Sequence, residues 1–310
     1  MLLDFSDITG HEKETLFIIG NGFDKAHYLN TSNSDFRELL MQNNHQDYVN
    51  MIESIFNYSN KDIFSDESKR ASLLWKDFEA ALGQINAETA KEYLINTCGD
   101  VINNGDNQTE SAAMMRQAVK DTSALMLQWA KSISFRTVRK KYNMTAESRY
   151  LSFNYTLTLE KLYNIDENKI CHIHGSTDEE KIIVGCERDT TRSPGYGEQK
   201  ERRFFKKINT ELDKFNKPVD DIIENNEEFF TSLKDITRVI VLGHSLSDID
   251  LPYIYEVKNN VDPNAHWHFS AYSEKDYSNI KEFIENRLDR TPTYIFSVGI
   301  VPDPKINDLI

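Results

Sequence analysis

The sequence predicts an α/β protein, with a mostly parallel, doubly wound sheet covered by helices and interrupted by a large all-helical insertion. Three observations predict it. Leu16-Phe17-Ile18-Ile19 is an apolar run without alternation, as in a parallel strand buried on both faces, and it stops at Gly20-Asn21-Gly22. From there to about Asn143 nearly every segment has helical periodicity. From Arg149 onward short apolar runs alternate with helical ones, the rhythm of strand–helix units. The division that follows is a first strand and glycine loop in 1–32, a helical insertion in 33–145, and the rest of the α/β domain in 146–310.

The elements follow in order. A turn over residues 29–36 leads into a helix, with Ser32 and Asp35 spaced as a capping pair and Phe36, Leu39 and Leu40 on one face. Further helices are predicted over 46–58, 68–95 and 108–135. In the last of these Met115, Val119, Met126 and Ile133 form a stripe that reads as core packing. Residues 59–67 and 99–107 are its polar joints. The later strands are predicted at 150–153, 170–173, 182–184, 239–242, 266–271 and 294–298. Of the 12 glycines, Gly20, Gly22, Gly175, Gly185, Gly243 and Gly299 each follow a predicted strand. In a parallel sheet their loops share the carboxyl edge, where ligands bind at the point of strand-order reversal.

Composition bounds the function. With 39% hydrophobic and 28% charged residues, the chain has the mix of an ordinary globular protein. No apolar run approaches the ~20 residues of a membrane span, and no basic segment leads an apolar one at the N-terminus. Cys98, Cys171 and Cys186 are far apart and odd in number, so no disulfide framework is expected and the chain reads as cytoplasmic. Acidic residues outnumber basic ones by 50 to 36, a net charge of −14 that repels nucleic acid at long range. The one candidate basic patch, residues 200–207, reads as the wet face of an amphipathic helix with Phe204 and Phe205 inward. Direct nucleic-acid binding and membrane contact are therefore not expected.

Four loops could carry chemistry. The turn at Gly20-Asn21-Gly22 is Rossmann-like, because glycine lets an anion approach backbone N–H groups at a helix N-terminus. The third glycine of the dinucleotide fingerprint is replaced by Lys25, and a ligand-free turn fits this stretch as well. Ser152-Phe153-Asn154-Tyr155-Thr156 ends the next strand. Asn154 could hold a ribose hydroxyl or a water, or simply cap the following helix. Cys171-His172-Ile173-His174-Gly175 ends a third, where a histidine suits a general base and where a satisfied structural His172 is also expected. No metal site is expected, since three scattered cysteines cannot form a Cys₄ set. Gly243-His244-Ser245-Leu246-Ser247 nearly matches a serine-hydrolase elbow. However, Asp248-Ile249-Asp250-Leu251-Pro252 follows where the elbow needs a helix.

Taken together, these stretches identify the chain as a member of the bacteriophage abortive-infection AbiH family. The signatures are Gly20 to Asp24, Ser152 to Thr156 with Glu160, His172 to Gly175, and Gly243 to Asp250, in that order. More distantly the pattern is similar to sirtuin-like NAD-binding domains of anti-phage systems. It departs from them at Asp24, where a small hydroxyl residue is usual, and at Thr156, where aspartate is. The resemblance implies a sirtuin-like domain that binds NAD as substrate or ligand without a metal. Asn154, His174 and Asp24 would act in catalysis. Gly20, Asn21, Gly22, Phe23, Gly243, His244, Ser245 and Asp248 would line the nucleotide. It implies an anti-phage NAD glycohydrolase. A nucleotide-sensing module is the alternative, and a serine hydrolase using Ser245 is a third. A phage trigger, a partner protein or a homo-oligomer is compatible with any of these. As loop positions, Asn154 and His174 are expected to be replaceable without unfolding.

Overall fold

Five consecutive buried residues form the strand on which the sheet is built, because a strand paired on both sides and covered on both faces has no place for a polar surface. The computed structural model describes residues 11–59, 66–188, 198–289 and 293–297. In chain order β1 (Thr15–Ile19) is followed by α1 (Asn21–Ala26), α2 (Asn33–Gln42), α3 (Gln46–Ser59), α4 (Glu67–Lys76), α5 (Phe78–Gln84), α6 (Ala87–Cys98) and α7 (Gly105–Ser132). Then come β2 (Arg149–Ser152), α8 (Thr158–Tyr163), β3 (Ile170–His172), α9 (Gln199–Leu212), α10 (Val219–Asn225) and α11 (Glu227–Thr231). The chain continues with β4 (Arg238–Leu242), α12 (Leu251–Asn260), β5 (His266–Ala271), α13 (Glu274–Phe283) and β6 (Thr293–Ser297).

The six described strands pair in the order β3-β2-β1-β4-β5-β6, and every pair is parallel. This is the strand order of the Rossmann fold, and its parallel pairing is that of the α/β sheet the sequence predicts. Phe17 of β1 stands beside Tyr150 of β2 and Ile240 of β4. Those three residues share a core cluster with Ile19, Phe23, Leu159 and Tyr163. The strand order reverses between β1 and β4, which puts the loops after Ile19 and Leu242 side by side.

By backbone contacts the chain divides into two compact units. The first comprises Met1–Thr31, Ile133–Glu180 and Pro218–Ile310 and carries the sheet. The second comprises Ser32–Ser132 and Lys181–Lys217. It is helical and packs around Phe36, Trp75, Phe78 and Trp129, with the Trp75 and Phe78 rings stacked at 5.0 Å. Ser32 and Asp35 form the expected capping box. Met115 and Met126 are buried along α7 with Ala118, Thr122 and Trp129, so the methionine stripe is core packing; Ile133 lies beyond the helix end.

Two expectations are corrected. The helical run 68–95 is three helices, because Asp77 and Asn86 each turn a side-chain oxygen back onto N–H groups of the next turn and start new helices there. The strand expected at 182–184 is not formed. Its neighbour Gly185 donates its N–H to Glu79 Oε1, and Cys186 pairs with the chain at Phe215 and Lys217 as an isolated bridge within the helical unit. Gly185 therefore follows no strand, and Gly299 lies outside the described residues.

At the reversal point the two glycine loops touch backbone to backbone. Gly22 donates its N–H to Gly243 O at 2.8 Å, and Gly20 donates to Leu242 O at 3.0 Å. A Cβ on Gly22 would stand 2.7 Å from Gly243 Cα, and one on Gly243, whose φ is +63°, would stand 2.3 Å from Phe23 N. No side chain fits between them. Gly22→Ala is expected to destabilise the fold by about 2 kcal/mol or more, as backbone strain at a buried contact does. Gly105→Ala, with nothing within 4 Å of the added carbon, should be neutral or slightly stabilising. Denaturant melts of the two variants check this.

Candidate functional site

The carboxyl edge of the sheet gathers its polar side chains around Asp24. Residue 24 falls in the single short helix after β1 and is 1% exposed. Thr156 Oγ1 donates to its Oδ2 at 2.5 Å and Thr158 Oγ1 to its Oδ1 at 2.7 Å. The Asn154 side chain hydrogen-bonds the same carboxylate. Burial pushes the Asp24 carboxyl up to about 6, against the pull of these three hydrogen bonds and of the His172 charge. Asp24 and Thr156, which lie on different loops, are thus bonded to each other.

Asn154 ties the β2 loop to the β1 loop a second time, donating from Nδ2 to Gly20 O at 3.1 Å. It does not cap α8, whose N-cap residue is Leu157 with no side-chain bond. Its carbonyl Oδ1 is the group through which it can receive a hydrogen bond from a hydroxyl or a water.

His172 is a buried, doubly bonded side chain. Its Nδ1 lies 3.0 Å from Asn154 O and its Nε2 2.7 Å from Glu160 Oε1. Both partners accept, so both ring nitrogens donate and the imidazole is charged. Burial alone would lower its pKa, but the hydrogen bond and charge of Glu160, with the Asn154 carbonyl, raise it. The expectation of a structural His172 fits this arrangement. Nothing in the spacing of Glu160 or Thr158 predicts these contacts, although two threonines flanking position 157 just after an Asn-bearing strand end are a readable signal.

His174 is 3% exposed and belongs to a ring cluster with Phe153, His244 and Tyr253. Phe153 lies between the two histidines, with centroids 5.5 Å from His174 and 4.3 Å from His244. His244 Nδ1 accepts the Leu246 N–H at 3.0 Å, so its proton is on Nε2, which faces Asp250 Oδ2 at 3.8 Å. Asn154 and His174 are thus buried, and the expectation that they are loosely held loop positions is corrected.

The remaining predicted residues are dispersed around this centre. Ser245 is exposed and makes no hydrogen bond among the described residues, so no triad is built around it. Asn21 is exposed, with its amide donating to Thr31 O at 2.7 Å. Phe23 is a core residue, and its N–H donates to Gly20 O at 2.9 Å. Asp248 forms a surface ion pair with Arg287. The N–H groups of Gly22 and Phe23 are therefore engaged by protein carbonyls, and the three glycines serve the contact between loops. Among the described residues no three His, Cys, Asp or Glu side chains converge as a metal site requires, and no helix is long and apolar enough to cross a membrane.

Comparison with known proteins gives one result. A family model described as bacteriophage abortive infection AbiH matches residues 16–271, a span that includes all four loops. No curated protein and no solved structure matches the chain.

The titration of Asp24 has a sign that can be checked. The native state keeps this proton to higher pH than the unfolded chain, so its contribution to stability is full below about 3.8 and declines as pH rises to about 6. His172 acts in the same direction at higher pH. Its contribution is present below the ordinary value of 6.5 and is lost as pH rises through the raised native one. Asp24→Asn removes the buried charge and keeps the shape. Its stability at pH 7.5 is expected to equal or exceed that of the wild type by about 1–3 kcal/mol, without the decline between pH 4 and 6. Glu160→Gln, which leaves His172 without its counter-charge, should cost about 3 kcal/mol. Urea melts across pH measure both.

Proposed function

The chain belongs to the bacteriophage abortive infection AbiH family, and from that premise we propose that it is a nucleotide-cleaving effector that hydrolyses the nicotinamide–ribose bond of NAD. Membership implies an anti-phage, abortive-infection role. The cleavage is our reading of the site. The observation that carries it is the parallel β3-β2-β1-β4-β5-β6 sheet with Asp24, Asn154 and His174 on the loops of its carboxyl edge, at and beside the reversal point where such sheets receive nucleotides.

Cleavage of that bond passes through an oxocarbenium-like state, which calls for an oriented ribose and an activated water. Asn154 Oδ1 would accept a hydrogen bond from the ribose or the water, and His174 would take the proton released. Asp24 acts through Asn154. Its carboxylate is occupied by Thr156 and Thr158, so it positions the amide and does not meet the sugar. The exposed Ser245 hydroxyl would meet the pyrophosphate, a task the engaged N–H groups of Gly22 and Phe23 cannot perform. A second reading, a nucleotide sensor without catalysis, is favoured by the same satisfied Asp24 carboxylate.

The purified chain incubated with NAD, with and without phage lysate as trigger, is expected to release nicotinamide. His174→Gln, which keeps much of the buried volume, should lower the rate by about 10²–10⁴-fold. Asn154→Ala should do likewise while also losing about 1–3 kcal/mol of stability, because it leaves Gly20 O and Asp24 without its amide. Undiminished turnover in His174→Gln removes that residue from the chemistry. Intact NAD with the wild type under both conditions leaves the sensor as the better account.

A further inference from the structure

The helical unit carries a second site. Helices α7 and α9 run in the same direction, since Lys200 reaches Asn103, Lys207 reaches Thr109, and Glu211 reaches Arg116 at successive heights. Between them lies a cavity of about 900 Å³. Among the described residues its charged lining is Arg116, Lys200, Arg202, Arg203, Lys206 and Lys207 against the single acid Glu211. In a chain of net charge −14, six cations facing one groove are a concentrated exception.

Their partners leave most of that charge uncompensated within the groove. Glu211 is taken by Arg116, with Nη2 at 2.7 Å, and by Lys214. Arg202, Arg203 and Lys206 are exposed and form no ion pair among the described residues. Lys200 and Lys207 donate to neutral oxygens, Asn103 Oδ1 and Thr109 Oγ1, each at 3.4 Å. Asp100 lies near Lys200 at one end, where its own pKa is lowered chiefly by hydrogen bonds from Asn103. The N-termini of α7, at Gly105, and of α9, at Gln199, lie together at that end and add positive dipole charge. Phe204 and Phe205 are buried on the other side of α9, so the cations are free to face the groove.

We infer that the groove between α7 and α9 binds a nucleic-acid strand through its phosphates. The donors present are those that hold phosphodiester oxygens, arginine and lysine; the side chains of Thr109, Thr210, Asn103 and Gln108 beside them donate to protein oxygens. An acidic protein segment would need apolar anchors to bind stably, and among the described residues the groove offers only Ile102, Ala112 and Ala113. Among the described residues it is lined by no aromatic side chain on which bases could stack, so recognition is of the backbone and independent of sequence. Lys200, Arg203 and Lys207 follow one helix face over ~10 Å, long enough to meet about three or four phosphates. The negative charge of the rest of the chain opposes approach at long range, but is screened beyond ~8 Å at physiological salt.

Fluorescence anisotropy with the full chain and a labelled 20-nucleotide single strand tests this. Binding is expected at 50 mM NaCl, with log Kd rising against log salt by a slope of about 2–3, the number of phosphates contacted times ~0.7. The triple variant Lys200→Gln, Arg203→Gln, Lys207→Gln should bind at least 10-fold more weakly, with the slope lowered by about 2. Its melting temperature should match the wild type, and Lys275→Gln on α13 should change nothing. Three results overturn the inference: no binding at 50 mM NaCl, equal binding by the folded triple variant, or equal affinity for a polyglutamate peptide of the same charge.

Discussion

The sheet unit depends on how closely two loops approach at the point where its strand order reverses. Gly20, Gly22 and Gly243 let the backbone after β1 lie directly on the backbone after β4, and a single added methyl group would collide with main-chain atoms. That contact fixes where α1 begins and therefore where Asp24 points. Asp24 in turn holds Thr156 and Thr158, and with them the entry to α8. One buried carboxylate thus joins the first two strand ends. The same link orients Asn154, whose main-chain oxygen is bonded by His172. Steric closeness at the glycines and hydrogen bonding at Asp24 are therefore successive parts of one arrangement.

This also changes what the glycines mean. A glycine-rich turn after a buried strand suggests a phosphate cradle, because backbone N–H groups can then approach an anion. Here the N–H groups of Gly20, Gly22 and Phe23 donate to protein carbonyls, and glycine is required by the neighbouring loop. From sequence the two uses are indistinguishable, since both need a position without a Cβ. What separates them is the partner, and the partner of Gly22 stands more than two hundred residues away.

The sheet was legible because its signal is local: unalternated apolar runs such as 16–19 and 239–242, each stopped by glycine. Capping of α2 by Ser32 was legible for the same reason. The expectation of a strand at 182–184 fails because Ile182 and Val184 are buried outside the sheet, and an apolar triplet does not say which kind of surface buries it. At the site, Asn154 and His174 could be picked out as polar residues at strand ends. Their burial could not, nor could the Asp24–Thr156 bond, since it joins residues 132 positions apart. The basic run 200–207 is amphipathic, as its pattern predicts, with Phe204 and Phe205 inward. That its wet face lines a groove with α7 depends on a helix ninety residues earlier.

The central claim is that the β1–β4 edge of the sheet receives a nucleotide whose ribose lies against Asn154. Diffraction from crystals soaked with ADP-ribose tests this most directly. The account predicts density over the loops after β1 and β4, with a ribose hydroxyl within hydrogen-bond distance of Asn154 Oδ1 and the pyrophosphate beside Ser245. Density elsewhere on the molecule, or an empty edge at saturating ligand, would contradict it.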